Sequence, residues 1–322
     1  MTTRESLPDL GVVARPHLKL AGMRIDGETG SRQLSTKTVA ITVRDLSNDR
    51  VHTVPLQADH WSGPIWSADE RAFALVRTVE GGGELWVADP YTAAPQRVDG
   101  VRLNQVMGGA VQWLPDQENL LVRLVVSGAR PERARVPSGP IVQQTTRGLV
   151  AQVRTYQDLL KNPHDEDVFE HYGTSRLVVV DAATKAVAPF GIPAMYYGVT
   201  PSPDGTMLLV STIARPFSYV VPASRFPMIT SVMDWDGKVL RELQRNRLLD
   251  AIPIGGVPKG LRRISWLANA QHALYWFEAQ DDGNPKNKVP HRDYAFLLAD
   301  PKESPRLWFK TEFRAGRLNF SG

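Results

Sequence analysis

The 322-residue chain has no cysteine, which excludes disulfides, thiolate catalysis and cysteine-ligated zinc. It also lacks any apolar run approaching the ~20 residues that span a bilayer as a helix. The opening stretch MTTRESLPDLGVVARPHLKL has none of the apolar length of a secretory signal. A soluble chain without signal peptide, transmembrane segment or membrane partner is expected, and the compartment stays open. Blocks of one charge are missing too: 38 basic and 34 acidic residues are scattered and leave a net charge of +4. That pattern speaks against nucleic acid as a partner. The densest basic stretch, GARPERARVP with Arg130, Arg133 and Arg135, lies among proline and glycine and reads as a solvated loop.

Two catalytic signatures are absent as well. Gly-x-Ser-x-Gly, which exposes a serine on a sharp strand-to-helix turn, does not occur, and GTSRL (173–177) misses its spacing. No catalytic residue is therefore assigned, and the chain alone is expected to be inactive as a hydrolase. GGVPKG (255–260) has its lysine before the last glycine and no Ser or Thr after it, so it fails as a phosphate loop. HDEDVFEH (164–171) gathers histidines and acids, yet His164 and His171 stand roughly 10 Å apart along a helix axis, too far to share one ion easily. Its acids suit the first turn of a helix, where the macrodipole favours negative charge. Neither a metal nor a cofactor is expected.

What is present is a normal globular composition, 42% hydrophobic and 22% charged, arranged in a repeat. Imperfect copies of one unit run through 64–98, 110–126, 199–213 and 264–279, with a further start at RLNFSG (317–322). Each reads as a strand ending in Trp or Ser, a Pro-Asp-Gly-like turn, a buried strand, a hairpin and a strand closed by Asp. Asp89, Asp181 and Asp300 are the closing residues, and Trp66, Trp113, Ser202, Trp266 and Phe320 mark the starts. EGGGELW (80–86) is a hairpin turn. Short strands repeated without intervening long helices indicate an all-β fold, a β-propeller.

KTVAITVRDLSNDRVHTVPL (37–56) supplies only two strands, and the sequence stops where another blade should begin. The expectation is an incomplete propeller over 1–322, about four whole blades plus fragments. Its open blade edges are expected to promote oligomers or poor solubility.

The largest interruption, 127–173, is read as an insertion with a loop followed by short helices. Thr155 with Asp158 is expected to cap the first helix; Asn162 caps the second, with Pro163 at its first position and Gly173 as its stop.

Within PSPDGTMLLVSTIARPFSYVVPASRFP (201–227), Arg215 and Arg225 stand beside prolines and aromatics in an otherwise apolar stretch. On residue chemistry alone they stack on aromatic rings and bond backbone carbonyls at a blade edge.

At 153–181, 200–227 and 259–283 the chain resembles the glutamyl endopeptidase branch of the prolyl oligopeptidase family, and the resemblance extends from ARPHLKLAGMRID (14–26) to the C-terminus. It implies the N-terminal β-propeller portion of a serine-type peptidase whose catalytic triad lies on a C-terminal α/β-hydrolase domain absent from this chain. The family is often exported or plastid-targeted. The implied role is non-catalytic: restricting access and contributing to the binding of peptide substrates with acidic residues. Under that reading Arg215 and Arg225 become substrate-binding candidates, with Phe217 and Tyr219 as walls. The competing class is a stand-alone propeller that binds protein partners, or a truncated gene product. A propeller hydrolase with carboxylates in a central pit is weaker, because no paired acids recur on successive inner strands.

Overall fold

The computed structural model describes residues 1–5, 7, 10–33, 37–57, 59–91, 94–132, 155–316 and 318. Arg133, Arg135, Phe320 and most of the first half of the insertion lie outside them. The chain packs as two compact units, Met1–Pro131 with Asp167–Met195, and Glu132–Glu166 with Tyr196–Gly322.

The architecture is all-β, built from four-stranded antiparallel meanders of the propeller-blade type. In the first unit one meander runs His60–Trp66, Phe73–Val79, Gly82–Ala88, Gln96–Arg97, and a second runs Val111–Trp113, Asn119–Val125, Ser175–Asp181, Val187–Ala194. The second unit holds two more. They are Tyr196–Pro201, Leu208–Ile213, Met228–Met233, Val239–Asn246, and Leu261–Trp266, Leu274–Ala279, Asp293–Leu298, Arg306–Thr311.

Burial explains the strand compositions. Second strands such as Phe73–Val79 and Leu274–Ala279 are covered on both faces and read as nearly continuous apolar runs. Fourth strands such as Val239–Asn246 are wet and carry charge. Between the second-unit meanders, Leu209 and Val232 pack on Trp266, Leu274, Trp276 and Leu298. Each fully buried side chain of this size contributes ~1.5–3 kcal/mol.

The repeat also appears in the hydrogen bonds. Ser67 and Ser202 close equivalent turns: each Oγ donates to an aspartate two residues on at 2.6 Å, and each accepts a backbone N–H five residues on, at 3.1 and 3.0 Å. The indole N–H of Trp113 donates to the Ile65 carbonyl at 2.8 Å, and that of Trp266 to the Thr200 carbonyl at 2.9 Å. Both acceptors sit two residues before the serine of the preceding blade. Trp66 is the exception among the start-position tryptophans: it is 38% exposed and leans on Phe73 at 4.9 Å.

Asp89, Asp181 and Asp300 cap the turns from third to fourth strand by accepting backbone N–H groups two residues on at 2.7–2.9 Å, and Asp234 does the same at 3.1 Å. These are Asx turns, encoded by one side chain each.

The strand Thr38–Arg44 pairs with Val51–Val54, as the sequence indicates, but also with Thr2–Arg4, and it meets the first meander at Thr38↔Trp61. A separate sheet of His17–Leu20, Met23–Asp26 and Ser31–Arg32 precedes it.

The insertion needs one correction. Of its two expected helices only the second is found among the described residues, Pro163–Gly173, with Asn162 Oδ1 accepting from Asp165 N–H and Asp165 Oδ2 accepting from Lys161 N–H, both at 2.9 Å. The expected helix capped by Thr155 and Asp158 is absent. Asp158 takes the left-handed conformation at φ 57°, and Leu160 is buried. So short a run cannot meet the cost of helix nucleation unaided, and anchoring Leu160 sets the path instead.

Candidate functional site

Residues 214–227 connect the second and third strands of the Tyr196–Asn246 meander and form a small folded body. The Ala214 N–H donates to the Pro227 carbonyl at 2.9 Å and closes its neck. Inside, Phe217 and Phe226 stack at 5.4 Å with Val221 and Ala223 buried beside them, and a 3-10 turn spans Ala223–Arg225. This apolar filling fixes where the two arginines emerge.

Arg215 lies over the Phe217 ring at 4.7 Å, and its Nη1 donates to Glu166 Oε2 at 2.5 Å. The Arg215 side chain is 42% exposed, that of Glu166 16%. Glu166 comes from the first turn of the Pro163–Gly173 helix. The Tyr219 hydroxyl also hydrogen-bonds to Glu166; burial, that bond and the Glu166 charge push its pKa up to about 12, so the phenol stays neutral.

Arg225 is held differently. Its guanidinium lies 5.6 Å from the Tyr156 ring centre and its Nη1 donates to the Leu249 carbonyl at 3.3 Å. It borders a cavity of about 50 Å³ lined also by Tyr156, Val221, Asp250 and Pro253. The two arginines thus share one loop and one aromatic pair, but each has its own ring and its own oxygen acceptor. Tyr219, expected as a wall beside them, instead bonds the acid that Arg215 pairs with, and Glu166 and Tyr156 are the members that sequence reasoning did not join to them. Glu166 was legible only as a first-turn acid, because nothing local encodes a partner 49 residues away.

A second charged assembly lies beside the 280–292 loop. Asp281 and Asp293 have fully buried side chains. Arg292 reaches Asp281 at 2.7 Å, Arg314 reaches Asp293 at 2.6 Å and also Asp281, and Arg262 reaches Asp293 at 2.5 Å. Burial opposes ionisation of Asp281, yet Arg314 and Arg292 hold its carboxyl below the usual range. Among the described residues no group of three or more histidines or acids is placed to hold a metal ion, and none of the helices is long and apolar enough to cross a membrane.

No protein-family profile matches the chain. It is homologous over nearly its whole length to a probable chloroplastic glutamyl endopeptidase of Oryza sativa subsp. japonica, at 36% identity over 97% of this chain and 35% of that protein. A counterpart in Arabidopsis thaliana is 35% identical over 98% of this chain and 35% of its own length. The chain therefore spans about a third of the length of these curated relatives. Among solved structures it is similar to an acylaminoacyl peptidase of Pyrococcus horikoshii, with TM-score 0.44, 15% identity, and 82% and 34% of the two chains covered. It is also similar to the β-propeller domain of the Trilobed protease of Pyrococcus furiosus, with TM-score 0.41, 12% identity, and 85% and 62% covered. The blade architecture rests on the sheets themselves.

Proposed function

We propose that the chain is the propeller part of a serine peptidase that acts on peptides at acidic residues. It restricts access to the substrate path, and Arg215 and Arg225 receive a substrate carboxylate. Hydrolysis is carried by an α/β-hydrolase domain outside these 322 residues. The homology over 97% of the chain to a probable glutamyl endopeptidase carries this reading. The chemistry supports it. A guanidinium binds a carboxylate through two parallel hydrogen bonds and loses less hydration than an ammonium would. Phe217 and Tyr156 each lie within cation–π range of one of the arginines.

Losing a hydrogen bond to a charged group costs ~1.5–3 kcal/mol, or about tenfold or more in affinity. Binding of a fluorescent hexapeptide with a central Glu is compared with its Gln counterpart, for the chain and for Arg215→Gln and Arg225→Gln separately. A Glu preference that falls at least tenfold in either variant is the expected result. An unchanged Glu-to-Gln ratio in both, with unchanged melting, would leave the arginines purely structural.

A further inference from the structure

Arg215 and Arg225 differ in what already occupies them. Arg225 meets a ring and a neutral carbonyl, whereas Arg215 meets a carboxylate. That carboxylate is delivered by the helix of the insertion and is pre-positioned from both sides. Asn162 and Asp165 fix the helix start that carries Glu166, and Tyr219 supplies a second hydrogen bond to it. The Arg215 side chain is more open to solvent than its partner, so an incoming group reaches the cation before it reaches Glu166.

We infer that Glu166 is a resident carboxylate at Arg215, standing in for the acidic side chain of a peptide and displaced when that side chain binds. This rests on the reading that Arg215 receives a peptide carboxylate. Partly exposed ion pairs are weak, so a carboxylate that gains two parallel hydrogen bonds can displace one. A neutral amide gains too little at the cation to displace Glu166, so a Gln side chain binds about equally whether or not the resident acid is there. Occupancy by Glu166 lowers the apparent affinity for acidic peptides by the fraction of time that Arg215 is engaged.

The test uses the 322-residue chain with the same two fluorescent hexapeptides, one with a central Glu and one with Gln. Glu166→Gln is expected to bind the Glu peptide about three- to sixfold tighter, and the Gln peptide within about twofold of the wild-type chain. Tyr219→Phe removes one of the bonds holding Glu166 and should show part of the gain. In Glu166→Gln/Arg215→Gln the gain should vanish. If Glu166→Gln binds both peptides as the wild-type chain does, the resident-carboxylate inference is overturned while the acid preference of the wild type still stands. If neither the wild type nor any variant prefers Glu, both readings fall. Should Glu166→Gln lose its cooperative melt, Tyr219→Phe decides, and no gain there overturns the inference.

Discussion

Where first strands turn into second strands and third strands into fourth, each meander relies on local bonds. Ser202 with Asp204, Asp116 with Asn119, and Asp181 with Thr184 all close within a few residues. At the opposite end, where second strands meet third strands, the connections are 80–81, 126–174, 214–227 and 280–292. Apart from the first of these, they are long, and what holds them is distant in sequence: Glu166 to Arg215, Arg225 to Leu249, and Arg314 to Asp281 and Asp293. Within each meander the turn end is closed by short-range bonds that repeat; the loop end is held by long-range bonds that differ from blade to blade. The candidate site lies at the loop end, where side chains are not needed to close a turn.

The largest effect should come from the loop end. Arg314→Ala leaves two buried carboxylates with one cation fewer each; a buried charge left wholly unpaired costs about 3–5 kcal/mol, and because Arg292 and Arg262 remain, a loss near the lower end, about 3 kcal/mol, is expected. Denaturant unfolding measures it. A loss under about 1 kcal/mol would mean that packing, not the ionic network, holds this end.

At the turn end the expected loss is smaller, because only one local bond system is removed. Ser202 is fully buried and its Oγ accepts the Met207 N–H; Ser202→Ala strands that donor at a cost of about 1–3 kcal/mol. The equivalent Ser67→Ala should match it within measurement error. Different costs for the two would break the claim that the turns are copies.

This division is also the division between what was legible and what was not. Asp89, Asp181 and Asp300 could be picked out because an Asx turn needs one residue type at one place. The helix start at Asn162 was legible for the same reason. Thr155 and Asp158 offered the same kind of local signal and misled, since buried Leu160 and the left-handed Asp158 answer to tertiary packing. The pairing of Thr2–Arg4 with Thr38–Arg44 and the convergence of Arg262, Arg292 and Arg314 on two aspartates carry no local signature at all. Arg225 takes the ring and backbone carbonyl that residue chemistry indicates, and Arg215 takes the ring, but its acid partner Glu166 was not legible.

His272 tests the turn end by pH. It lies between Asp204 at 2.8 Å and Asp300 at 3.3 Å, and the hydrogen bond to Asp204, opposed by burial, raises its pKa above the ordinary value. A raised folded pKa gives a contribution that is full below about pH 6.5 and fades as pH climbs through the raised value. Asp204 behaves in the opposite sense. Burial works against it, but bonds from Ser202, His272 and Thr206 lower its pKa, so its contribution is lost as pH falls below about 4. His272→Gln should remove about 1 kcal/mol at pH 6 and almost nothing at pH 9. Equal losses at both values would show that the imidazole acts by packing alone.

The smallest effect concerns a defect in an otherwise well-encoded turn. Asp45 and Asp181 close turns of the same form: each carbonyl accepts the N–H four residues on at 2.9 Å, and each N–H donates to the carbonyl five residues on, at 2.9 and 3.0 Å. In both, the fourth residue after the aspartate is left-handed, Asp49 at φ 63° and Lys185 at φ 65°. Aspartate tolerates that region, because its short polar side chain can bond locally; lysine does not. Glycine at 185 would relieve about 1 kcal/mol of backbone strain, reduced by the greater freedom it gives the unfolded chain and by loss of the Lys185 bond to the Ala182 carbonyl. Lys185→Gly is therefore expected to raise stability by about 0.5 kcal/mol, whereas Asp49→Gly should change it by less. Thermal melts of the two variants side by side measure the difference. If Lys185→Gly destabilises, the lysine side chain contributes more to this turn than its backbone costs, and turn chemistry alone does not set the stability of this end.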